Sequence, residues 1–258
     1  MARRLRVWMC EALPMSMDDV LADLEPLLMP RRVILIGEPH GTNEFPALVS
    51  AMVDQLVASG TSVIVGLEVP MTEEVELGAV GSFWSRSAEF QDGRSSQAMA
   101  DLVNEMAQRR RGGDPIETVA MDGPWVAPGS KVPLEYLDLL EQSRDELMAT
   151  NVLQVMDRTP RACTIVLAGS MHTSTNGTAW RTLGSILRPW FPILVSLMGQ
   201  LTGGERWLLP SSGEPGHAAP VPALDLPTGA LWADEPGADG HHGYVNLGAV
   251  TASEPARV

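Results

Sequence analysis

Lysine is almost missing from this chain. Lys131 is the one lysine among 18 basic residues, and the other 17 are arginines. Against them stand 32 acidic residues, for a formal net charge of −14. A surface of that sign repels phosphate backbones and anionic headgroups, so neither nucleic acid nor a membrane is the expected partner. Cysteine is nearly as scarce. Cys10 and Cys163 make no disulfide framework and sit in no zinc-ligand spacing, which fits a reduced, cytoplasmic setting. No apolar run is long enough for a transmembrane helix. The N-terminal "MARRLRVWMC" opens on basic residues as a signal peptide does. Glu11, Asp18 and Asp19 then arrive before any continuous apolar stretch, so no secretion is expected. Missing too are a P-loop, a G-x-G-x-x-G turn, a G-x-S-x-G elbow and any internal repeat of useful period.

What is present is alternation. With 258 residues and 45% hydrophobic composition, the chain can bury a sizeable core. "RRVILIGEPH" reads as a buried strand closed by Gly37. An amphipathic helix follows from Thr42 or Asn43 to Gly60, with apolar residues at 45, 48, 49, 52, 53, 56 and 57. "TSVIVGLEVP", "ETVAMDGPW", "ACTIVLAGSMH" and "FPILVSLMG" supply four further strands, "ERWLLP" a sixth, and "YVNLGAVTAS" a last one. Helices are expected around 72–80, 95–110, 134–157 and 178–187, and an irregular Pro/Gly-rich loop over 210–243. This pattern predicts one α/β domain over residues 1–258, with a mainly parallel central sheet and helices on both faces.

Parallel sheets bind ligands outside the C-terminal ends of their strands. Here those ends carry the polar residues: Glu38 and His40, Glu68, Asp122, then Ser170 and His172. A lone carboxylate at such a place is usually a cap or solvated. Glu44 suits a helix N-terminus as well as a site. Glu68 is different, because its apolar flanks bury it and a buried carboxylate needs a partner. "GEPH" and "GSMH" share the form Gly-x-x-His, in which glycine lets the chain turn and aim the histidine. His217, His241 and His242 lie in or beside the irregular loop and are expected at the surface.

These residues carry a resemblance. "GEPHGTNEF" resembles the opening motif of the erythromycin-esterase family, and its shorter Gly-Glu-x-His form is similar to the ChaN-like and Tiki (TraB-like) proteins. "RDELMATNVL" resembles the helix preceding that family's second histidine motif, and "YVNLGAVTASEP" its closing strand. The resemblance runs from about residue 31 to 255 and is weakest over 72–112 and 210–243. It implies an erythromycin-esterase/ChaN-like fold and a site of His40, Glu68, Arg144 and His172, with Glu38 beside them. Read without it, Arg144 is a surface residue next to Asp145. The chain is shorter than the antibiotic esterases, so a macrolide substrate is not implied.

The expected function is hydrolysis of an ester or amide bond in a small molecule or peptide, as in natural-product tailoring. His40 serves as base, oriented by Glu68 or Glu38; Arg144 binds an oxyanion or substrate carboxylate, and His172 is a second acid/base. Glu44, Asp122 and Ser170 are candidate substrate contacts, and the aromatics Phe83, Trp84 and Phe90 belong to a lid or to the core. No cofactor is required in this reading. The alternatives use the same groups differently. Tiki-like peptidases imply a divalent metal (Zn, Mn or Co) on Glu38, His40, Glu68 and His172, and ChaN-like proteins imply haem or iron. Arg144, supplying the positive charge itself, favours the metal-free version. Oligomeric state is left open.

Overall fold

The computed structural model describes residues 16–71, 84, 93–123, 143–177, 180–208 and 216–257. Cys10, Phe83, Phe90 and the helical segments expected at 72–80 and 134–142 lie outside these. A first helix that the strand pattern did not reveal, α1 (Met17–Leu24), starts at a capping box. Ser16 Oγ accepts from Asp19 N (3.3 Å), and the Asp19 carboxylate accepts from Ser16 N (2.9 Å).

Strand β1 (Val33–Glu38) is buried along its whole length, as its apolar run predicts. Its side chains alternate between faces: Ile34 and Ile36 join one core, Val33 and Leu35 the other. Helix α2 (Glu44–Ala58) buries Phe45, Leu48, Val49, Met52, Val53 and Leu56, the expected stripe. Strand β2 (Val63–Pro70), helix α3 (Gln97–Gly112) and strand β3 (Ile116–Asp122) follow. Arg109, Arg110 and Arg111 complement the C-terminal dipole of α3, and Gly113 closes it in the left-handed conformation (φ 101°).

Helix α4 (Arg144–Arg158) is shorter than the 134–157 expected. Ser143 stands in extended conformation and accepts from Glu146 N (3.2 Å), so the helix starts at Arg144. Strand β4 (Cys163–Gly169), the single turn α5 (Ser170–Thr173), the short helix α6 (Leu183–Leu187) and strand β5 (Leu194–Gln200) complete the centre.

The remaining strands are β6 (Glu205–Leu208), β7 (His217–Pro220), β8 (Gly229–Trp232) and β9 (Gly243–Asn246). Two of them, β7 and β8, lie within the stretch read as irregular. Four-residue strands show no period of their own, and pairing with β6 and β9 makes them. His241 and His242, expected at the surface, are buried (4% and 7% exposed) because β9 pairs beside β5 and draws them in. There Ser196 N donates to His242 Nδ1 (3.1 Å), and His241 shares a hydrogen bond with the Thr173 hydroxyl (3.2 Å).

The seven-stranded sheet runs β3-β2-β4-β1-β5-β9-β8, parallel except for β8 at its edge. β6 and β7 form a separate antiparallel ribbon. Helices α1, α2 and α3 pack on one face, and α4 and α6 on the other. The chain steps toward the β3 edge through α2 and α3, then returns through α4 and α6. With crossovers of one hand, that reversal requires the change of face. The loops after β1 and β2 therefore leave on one side and the loop after β4, between them, on the other. A crevice opens where they part.

Candidate active site

The crevice is a cleft of about 480 Å³ at the C-terminal ends of β1, β2 and β4. Glu38, His40, Glu68, Arg94, Arg144, His172 and Arg206 are its charged and imidazole lining. Its floor depends on two glycines. A Cβ on Gly169 would stand 3.1 Å from His40 Nε2 and 3.5 Å from Glu68 Oε2, in the space where those groups meet. A Cβ on Gly37 would stand 2.8 Å from the Ser170 Cα, against the turn that carries His172. Neither glycine has a positive φ, so Gly-x-x-His here provides room, not the sharp turn expected of it.

Glu68, 2% exposed, is the hub. Its Oε2 accepts from Gly169 N (2.7 Å) and lies 3.5 Å from His40 Nε2. Its Oε1 accepts from Arg144 Nη2, with Arg94 Nη1 at 3.7 Å. Burial by itself would raise the Glu68 pKa, but the His40 and Arg144 cations outweigh it and hold the carboxyl well below the usual carboxylate range. His40 answers in kind. Burial would depress it, yet Glu68 opposite and the hydrogen bond from Nδ1 to Glu38 Oε1 (2.8 Å) push it up to about 10. At neutral pH His40 is an imidazolium.

Arg144 spends four of its five N–H donors inside the protein. Nε and Nη2 donate to the two oxygens of Asp122 (2.6 and 2.7 Å), Nη2 also reaches Glu68, and Nη1 donates to His172 Nε2 (3.2 Å). His172 in turn gives its Nδ1 proton to Asp145 Oδ1 (2.9 Å). Asp145 is itself fixed, since the same oxygen accepts from Leu183 N (2.7 Å). This network assigns the tautomer: Nε2 of His172 carries the lone pair and faces the cleft.

The strand-end residues expected to meet do so: His40 and His172 lie 3.5 and 3.9 Å from oxygens of Glu68. Ser170 lines the cleft, its hydroxyl donating to Gly37 O (3.0 Å). Asp122 serves as the seat of Arg144 and Arg94 (3.0 Å). Glu44 takes the helix-terminal one of its two expected parts: it opens α2, and its carboxylate accepts from Thr251 N and Oγ1 (2.9 and 2.7 Å), tying down the C-terminal segment. Trp84 belongs to the core. Asp145, Arg94 and Arg206 were missed. Asp145 had a readable signal, being followed by "ELMA" at a helix start, but its partner lies 27 positions on.

Among the described residues no group of three or more His, Cys, Asp or Glu is arranged to hold a metal. The chemistry of the proposed donor set gives the reason. Arg144 occupies Glu68 Oε1 and His172 Nε2, and Glu38 occupies His40 Nδ1. The four residues do not fit a divalent ion in this arrangement.

No family model matches the chain, and no curated protein is similar to it in sequence. Solved structures resemble it in fold. A succinoglycan biosynthesis protein superposes with a TM-score of 0.64 at 12% identity, covering 91% of this chain and 92% of its own. A Bacillus cereus protein gives 0.60 at 13%, covering 94% of both. An erythromycin esterase mutant in its open conformation gives 0.51 at 13%, covering 79% of both. The fold is erythromycin-esterase-like. Many chemistries share one fold, so the activity has to be argued from the side chains of the cleft. No helix of the described residues is long and apolar enough to cross a membrane.

Proposed function

We propose that this chain is a hydrolase cleaving an ester or amide bond of a small molecule or peptide, without a metal ion. One observation carries the reading: the cleft holds two histidines in different settings, His172 between Asp145 and the Arg144 donor, His40 between two carboxylates. His172 on Asp145 presents a lone pair, and His40 between Glu38 and Glu68 presents a proton. The base role first expected of His40 therefore passes to His172.

In this reading the substrate carbonyl draws Arg144 Nη1 away from His172, and the freed Nε2 takes a proton from water as the water oxygen attacks the carbonyl. Arg144, 40% exposed at its side chain, and the His40 imidazolium stabilise the oxyanion. When the tetrahedral intermediate collapses, the bond to the leaving oxygen or nitrogen breaks and His40 gives it a proton. Donation from a group near 10 to an alkoxide is downhill. The proton held on His172 then returns to His40 through solvent, leaving one acid and one alcohol or amine per water consumed. The charged lining favours a polar scissile group over the flat apolar face of a porphyrin.

The test is a panel of aryl esters and amides assayed with His172→Gln and Asp145→Asn. Losing a general base costs about 10²–10⁴-fold in turnover, and both variants are expected to fall that far with unchanged far-UV spectra. Near-native turnover in both would sink the assignment. EDTA-treated protein is expected to retain its activity, and Arg144→Ala to lose it without rescue by Mn, Co or Zn. Loss on chelation, restored by one of these ions, would move the protein to the metal-dependent reading.

A further inference from the structure

Two arginines of the cleft are spent on carboxylates. Arg94 and Arg144 both reach Asp122 and Glu68, so Arg144 has no donor pair left for the substrate carboxylate first assigned to it. Arg206 is the exception. It lines the same cleft, and no carboxylate among the described residues stands within ion-pair distance of it, in a protein of net charge −14.

Its position is built. Trp207 N donates to Gly41 O (2.8 Å), docking β6 on the loop that carries His40. Gly41 has φ 86°, and a Cβ there would run into the Trp207 backbone, so the ribbon seats tightly. Alternation along β6 then turns Trp207 one way and puts Arg206 and Leu208 into the cleft wall. Next to His172, Ser170 and Met171 line both the cleft and a second cavity of about 330 Å³. Met198 and Trp180 wall that cavity, and Met171 and Trp180 are 63% and 48% exposed.

We propose that Arg206 anchors a carboxylate of the substrate, whose apolar end lies beyond Met171 against Trp180 and Met198. The substrate class is thus an anionic ester or amide with an apolar acyl or aryl group across the scissile bond. This rests on the hydrolase reading for its scissile bond alone. A planar guanidinium with free donors pairs bidentately with a carboxylate, and a charged hydrogen bond of that kind is worth about 10- to 100-fold in affinity.

The experiment compares 4-(phenylacetoxy)benzoate with its neutral carboxamide, using wild-type protein, Arg206→Gln and Trp180→Ala. Wild type is expected to prefer the carboxylate about 10- to 100-fold in kcat/KM, chiefly through KM. Arg206→Gln is expected to abolish that preference by losing about 10- to 100-fold in kcat/KM on the carboxylate. Trp180→Ala is expected to raise KM for phenylacetoxy over acetoxy esters. Calorimetry with the uncleavable ether 4-(2-phenylethoxy)benzoate separates anchor from catalysis. Binding that is lost in Arg206→Gln, without hydrolysis of the ester, leaves the anchor standing and removes the hydrolase. Hydrolysis with no carboxylate preference, equal binding of the ether by Arg206→Gln, or no binding by either protein overturns the anchor.

Discussion

His40 shows how much a residue's neighbours decide. Its two ring nitrogens face two carboxylates, Glu38 at 2.8 Å and Glu68 at 3.5 Å, and together they outweigh the burial that opposes charge. The linkage follows. A group whose pKa is raised on folding adds stability that is complete below its unfolded value of about 6.5 and is lost as pH rises through about 10. Urea unfolding is therefore expected to show stability falling across that window, and His40→Gln to flatten the fall. The imidazole signal of His40 is expected not to titrate between pH 6 and 8. A titration centred near 6.5 would return His40 to the role of base. That His40 and Glu68 share a site was legible from their places at strand ends. Their proton states were not, since these depend on distances of a few ångströms that strand periodicity does not encode.

At the scale of an element, the N-terminus of α4 holds the site together. Arg144 and Asp145 are its first two residues, so one helix start aims a guanidinium at Glu68 and a carboxylate at His172. A cation at a helix N-terminus opposes the dipole. Asp122 and Glu68 offset that cost, and Ser143 fixes where the helix begins. Ser143→Ala is expected to lower stability by about 1 kcal/mol, a typical cap loss. Turnover is expected to fall further than that figure implies, because a frayed first turn releases both residues. Ser143→Asp, another good cap, is expected to restore both. Full activity in Ser143→Ala, measured well below its melting temperature, would show that the cap does not position the site. The expected start near 134 erred for a local reason: apolar spacing continues through the boundary, whereas a cap is marked by one serine.

Across the whole molecule, two cores clamp the sheet and leave the crevice at its switch point. Phe45 lies at the heart of one of them, with no exposed surface and with its ring against Gly199 in β5. Phe45→Ala is expected to cost about 3–5 kcal/mol through lost burial and the cavity left behind. For a chain of this size that lowers the melting temperature by roughly 6–20 °C. Catalytic constants at 15 °C are expected to stay near wild type, since the cleft is built from the strand ends and from α4. A melting temperature lowered by less than about 3 °C would mean that the site collapses to fill the cavity.

Local pattern alone determined the central strands, the stripe of α2 and the gathering of Glu38, His40, Glu68 and His172 at one end of a parallel sheet. Burial leaves its period in the chain, and a parallel sheet has its ligand end at the C-termini of its strands. Tertiary structure alone decided the rest. Glu68 finds Arg144 across 76 positions and Gly169 across 101, and His172 finds Asp145 across 27. The strands β7 and β8 exist because other strands pair with them, and Arg206 enters the cleft because β6 docks on Gly41. Periodicity records which residues are buried. Charge pairing, proton state and a free guanidinium depend on which buried or half-buried groups meet, and separation along the chain carries no trace of that.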